Sequence, residues 1–164
     1  MGTTIFSKNL DQLVYSDVED FVDIGGRPVS EGWRVDYKQN LPDVGKAVAS
    51  LANTYGGVLI LGVAETNGLP TSIPGVPPTR ADLKTRISDH IRSSLQPMPR
   101  VEIGVAPIGG GNPNLVAVVR VEEGDFPPYA KSQGQQNRIY VRRNDQSVEA
   151  SLRELEELFA KRES

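Results

Sequence analysis

No cysteine occurs among the 164 residues, which excludes disulfide cross-links and thiolate metal sites and leaves stability to a packed core. Long apolar runs are missing too. The longest, Val58 to Ala64, contains Gly62 and falls far short of the roughly 20 residues that cross a bilayer. With no secretory leader pattern either, the chain reads as cytoplasmic and free of the membrane. Histidine occurs once, at His90, near the apolar stripe of a predicted helix, so a histidine mechanism lacks a second member. Neither glycine-rich stretch has the pattern G-x-x-x-x-G-K-S/T. Gly56-Gly57 lies between a helix and a following strand, whereas a phosphate loop runs from strand to helix, and Gly109 to Gly111 reads as a hairpin loop. No ATP site is expected.

Net positive charge is also absent, since 18 Lys and Arg against 21 Asp and Glu give −3, and taken alone this opposes nucleic-acid binding. The charges are segregated, however. Asp11, Asp17, Glu19, Asp20 and Asp23 stand near the N-terminus against Lys8, whereas Lys131, Arg138, Arg142 and Arg143 fall in a stretch with no acid between them.

What is present is an ordinary globular composition, 38% hydrophobic and 24% charged, at a length that suits one domain. Leu10, Leu13, Val14, Val18 and Phe21 predict one short amphipathic helix, and Trp33 to Lys38 predicts a brief strand. From Pro42 onward, Val44, Ala47, Val48, Leu51, Ala52 and Tyr55 give the clearest helical spacing. Val58 to Val63 follows as a strand buried on both faces, then a long loop from Thr66 to Pro78. A second long helix buries Leu83, Ile87, Ile91 and Leu95, with Thr79 and Asp82 as its capping box. Val101 to Pro107 and Leu115 to Glu122 predict an antiparallel hairpin. Arg138 to Arg143 alternates as a half-exposed strand, and a last helix starts at the capping box Ser151 and Glu154. The fold class is therefore α/β (α+β), a single domain with a central mixed sheet flanked by helices.

Two constellations carry chemistry. Asp36 and Lys38 share one face of the first predicted strand. A carboxylate that holds a divalent cation beside a lysine that offsets phosphate charge is a nuclease pairing, and Glu31 and Glu65 would have to converge on it. The plain alternative is a surface ion contact worth ~0–1 kcal/mol. The second is the stripe Arg138, Tyr140 and Arg142, with Arg143 and Lys131 nearby. Arginine forks suit phosphate and a tyrosine can stack on a base; the alternative is a solvated strand face.

The order of Glu31-Gly-Trp-Arg-Val-Asp36-Tyr37-Lys38, then Ala52-Asn53-Thr54-Tyr-Gly56-Gly57 with its apolar strand through Gly62-Val63-Ala-Glu65, then Ile139-Tyr140-Val141-Arg142 resembles the Schlafen AlbA-like domain. The resemblance covers residues 31–164 and leaves 1–30 as an N-terminal helical extension. It implies a nucleic-acid-binding domain acting on tRNA, rRNA or DNA, and in the ribonuclease members a Mg²⁺ or Mn²⁺ site made by three acids. Here those positions are Glu31, Asp36 and Glu65, with Asp in place of Glu at 36 and Glu in place of Asp at 65, and Lys38 retained. Lys38, Lys131, Arg138, Tyr140, Arg142 and Arg143 would contact the nucleic acid. The animal enzymes pair two lobes, so a single-lobe chain implies a homodimer. A non-catalytic regulator or protein-interaction module is the competing expectation, favoured by the acidic N-terminal segment.

Overall fold

The structure, a computed structural model, describes residues 4–163; residues 1–3 and 164, which the expected domain limits include, lie outside it. The elements run α1 (Thr4–Ser7), α2 (Tyr15–Val22), β1 (Val35–Lys38), α3 (Val44–Ala52), β2 (Gly57–Leu61), β3 (Ala64–Thr66) and β4 (Leu69–Ser72). They continue with α4 (Leu83–Ser94), β5 (Leu95–Gln96), β6 (Val101–Gly109), β7 (Asn112–Val121), β8 (Ala130–Gln133), β9 (Gln136–Arg143), β10 (Gln146–Glu149) and α5 (Leu152–Glu163).

The expected mixed sheet is present in the order β1-β2-β7-β6. β1 and β2 run parallel, with Asp36 opposite Leu59 and Lys38 opposite Leu61, while β2, β7 and β6 are antiparallel. All of β2 is buried, as its unbroken apolar sequence predicts. Its alternate residues feed two cores: Leu59 and Leu61 join α3 and α4 on one face, and Val58 and Ile60 join α1 and α2 on the other. The segment from Ile5 to Val22 thus closes one face of the sheet through Ile5, Leu10, Val18, Phe21 and Val22.

Three parts differ from the sequence expectation. The single N-terminal helix is broken into α1, a 3-10 turn over Leu10–Gln12, and α2. Leu13 and Val14 are extended, and the Asp17 carboxylate caps the Val14 N–H at 3.0 Å, so local capping overrides the apolar period. Second, Arg138 to Arg143 does not join the central sheet. It lies in β9 of a separate sheet ordered β10-β9-β8-β5, and α3 packs between the two sheets, with Ser50 bonded to Ser147 at 2.7 Å. The predicted loop from Thr66 to Pro78 also holds β4, paired with β3.

The Gly56-Gly57 step lets the chain leave α3 and enter β2 against β1. Gly57 has φ +140°, and a Cβ there would lie 2.2 Å from the Arg34 carbonyl oxygen, the same oxygen that accepts the Val58 N–H at 2.9 Å. Backbone, with no flexible side chain to yield, closes this position. Gly57→Ala should lower the unfolding free energy by about 2–4 kcal/mol, read as a fall in the urea midpoint at unchanged m value.

Candidate nucleic-acid cleft

β1 and β2 are the parallel pair of the sheet, and ligands in such folds gather beyond the carboxyl ends of parallel strands. Here those ends carry Lys38 and the Val63 to Glu65 stretch, and they open into a cleft of about 640 Å³ whose far wall is the turn from Asp145 to Val148. Asp36, Lys46, Lys131 and Arg142 also line it.

Asp36 and Arg142 form its floor. Both side chains are buried, at 2% and 1% exposure, and Arg142 Nη1 donates to Asp36 Oδ2. Every guanidinium nitrogen has an acceptor: Nε donates to the carbonyls of Gly32 (2.9 Å) and Asn144 (3.0 Å), Nη2 to that of Val35 (2.8 Å), and Nη1 also to Ser147 Oγ (3.3 Å). This differs from the exposed stripe expected of Arg138, Tyr140 and Arg142. α3 covers that side of β9, so Tyr140 is 5% exposed and serves as a seat for Lys46, whose Nζ lies 4.9 Å from the ring centroid. Arg142 reaches through to β1 and faces no solvent. Arg138 and Arg143 do sit outside, but each is held by a carboxylate, Arg138 by Glu149 and Arg143 by Glu154.

Lys38 Nζ forms an ion pair with the buried Asp36 Oδ1 at 2.8 Å. Glu31 is beside it: its Oε2 accepts the Tyr37 N–H at 2.9 Å, and burial together with the Asp36 carboxylate pushes its pKa up to about 7. Glu65 stands apart on β3 with Oε2 accepting the Gly68 N–H at 2.8 Å, while the Gly68 carbonyl accepts the Glu31 N–H at 2.7 Å. Glu31 and Asp36 therefore meet, while Glu65 stands apart on the Gly68 turn. Among the described residues no three Asp, Glu, His or Cys side chains come together closely enough to hold a metal ion. Asp36 already faces two cations and Glu31 is held protonated towards neutrality, so this arrangement does not fit a divalent ion.

Lys131 is half-buried, and among the described residues its ammonium hydrogen-bonds only the Ser132 carbonyl, at 3.3 Å. Lys46, which the sequence patterns pass over, is the one exposed residue of α3. A lysine in a helix that is otherwise apolar and small was the available signal. Both lysines enter the cleft with no carboxylate bound to them. His90 is on α4 near Gly45 and Lys131, where burial and that lysine hold its pKa below the usual value. The Asn53-Thr54 pair is structural: Asn53 bonds the backbone of Tyr129 and Tyr140, and Thr54 Oγ1 accepts the Arg142 N–H at 2.8 Å.

Residues 31–151 match the model of the family described as Schlafen, AlbA_2. No curated protein matches the chain. Among solved structures the chain is similar to the DIP2311 protein from Corynebacterium diphtheriae, at 20% identity and a TM-score of 0.52 over 77% of this chain. The match spans 23% of that chain, and the likeness is one of fold alone.

Arg142→Ala should cost about 3–5 kcal/mol by leaving Asp36 buried and uncompensated, and replacing Asp36 with Leu and Arg142 with Met together should recover much of that loss in denaturant unfolding. Glu31 gives a second test. Its carboxyl titrates at the ordinary 4.5 when unfolded and at about 7 when folded, so the native state binds the extra proton. Stability from this group is full below 4.5 and is lost as pH rises through about 7. Glu31→Gln should flatten that fall in a pH series of unfolding free energies.

Proposed function

The chain belongs to the Schlafen AlbA_2 family, and we propose that it binds nucleic acid in the cleft at the carboxyl ends of β1 and β2, with Lys46 and Lys131 as its phosphate contacts. The supporting observation is that these two cations face the cleft with no carboxylate bound to them. Arg138 and Arg143, by contrast, each already meet a carboxylate. A phosphate arriving at the lysines displaces only water and counterions, whereas one arriving at the arginines must break an existing pair.

Lys38 adds charge at the edge of the same site, and Tyr140 acts through Lys46 by holding its ammonium over the ring. Arg142 and Asp36 shape the cleft from below: the pair fixes β10 and its preceding turn against β1, so the two walls keep their spacing. RNA cleavage of the kind seen in ribonuclease relatives would need Glu31, Asp36 and Glu65 to draw together around Mg²⁺ or Mn²⁺ and Asp36 to release Lys38.

Fluorescence anisotropy with labelled single-stranded RNA and DNA across a salt series tests this reading. Lys46→Ala and Lys131→Ala should each weaken binding about tenfold and reduce the salt slope by ~0.7, and Arg138→Ala and Arg143→Ala should leave it little changed. The bound strand should remain intact with Mg²⁺, Mn²⁺ or EDTA; metal-dependent cutting that Asp36→Ala abolishes would restore the hydrolytic reading. Absence of binding at low salt would overturn the proposal and favour a protein partner.

A further inference from the structure

We infer that the cleft takes unpaired bases as well as phosphates, and that its carboxylates select bases with hydrogen-bond donors on their pairing edge, guanine above all. This rests on the cleft being the nucleic-acid site. The cleft is bipolar: Glu65 and Asp145 line it together with Lys46 and Lys131. Neither acid is bound to either lysine. Asp145 has no hydrogen bond or ion pair among the described residues, and Glu65 engages only its Oε2, with the Gly68 N–H. Asp36, buried in the floor and paired with Lys38 and Arg142, leaves base contacts to these two acids.

Phosphate binding alone gives no reason for acids in this wall, because each one repels the ligand. An ionised carboxylate only accepts hydrogen bonds. A nucleotide presents both complements at once, phosphate oxygens for the lysines and base N–H groups for the acids. The guanine edge offers its N1–H and 2-amino group side by side, matching the two oxygens of one carboxylate. Inosine keeps only the ring N–H and uracil only its N3–H. In a duplex those donors are engaged with the opposite strand, so the bases must be unpaired, as in single strands, loops and ends. The volume of about 640 Å³ is in the range of small-ligand pockets and has room for a nucleotide.

Anisotropy with three single strands, oligouridine and the same strand with guanosine or with inosine at alternate positions, reads this out beside a fully paired duplex. Wild type should bind the guanosine strand about tenfold tighter than oligouridine, with inosine close to oligouridine and the duplex weakest. In Glu65→Gln combined with Asp145→Asn, the lost repulsion should raise oligouridine affinity while the guanosine preference falls towards one. Equal affinity for all three strands in wild type, or a preference that survives in the double variant, would overturn the inference and leave phosphate binding standing. Failure to bind any strand at low salt would remove the nucleic-acid reading itself.

Discussion

The ion pair between Arg142 and Asp36 is the constraint on which the geometry of the cleft depends. A guanidinium and a carboxylate removed from water are costly to desolvate, and the arrangement holds because each guanidinium nitrogen finds an acceptor. The carbonyls of Gly32 and Val35 come from the approach to and start of β1, that of Asn144 from the β9–β10 turn, and Ser147 Oγ from β10. One side chain thus ties the second sheet to the edge strand of the first. The same tie fixes which residues stand on opposite sides of the opening, Lys38 on one and Asp145 on the other.

α3 explains why so much of the charge near β9 is unavailable to a ligand. It is a helix of small and branched residues, buried on nearly all sides because it packs against both sheets. Its one exposed residue, Lys46, rests on Tyr140 and points its ammonium into the cleft region. The sheet arginines that look most available in the sequence are neutralised by Asp36, Glu149 and Glu154. The working charge of the site comes instead from lysines on three different elements. A net negative chain can present such a site because pairing elsewhere removes the other charges from the competition.

The segment that carries the family resemblance most specifically, Asn53-Thr54 followed by Gly56-Gly57, works on the backbone. Asn53 joins the end of α3 to Tyr129 and Tyr140, Thr54 anchors β9 through the Arg142 N–H, and Gly57 lets β2 approach Arg34. This segment builds the junction between the two sheets, and the cleft lies at the other end of the parallel strands.

The α/β class, the buried central strand, the antiparallel hairpin, the long helices and the grouping of acids and bases around Glu31 to Lys38 were all determined by the sequence itself, because each rests on local periodicity, caps and turn residues. The tertiary structure alone decided three things: that β9 leaves the central sheet, that Arg142 turns inward, and that Glu31 meets Asp36 while Glu65 stays apart on the Gly68 turn. The physical reason is common to them. Alternation along β9 says that Arg138, Tyr140 and Arg142 share a face, but whether that face meets solvent depends on α3, nearly ninety residues earlier in the chain. The carboxylate positions likewise depend on which cation reaches Asp36 first, and Arg142, 106 residues away along the chain, is a partner that no local pattern can supply.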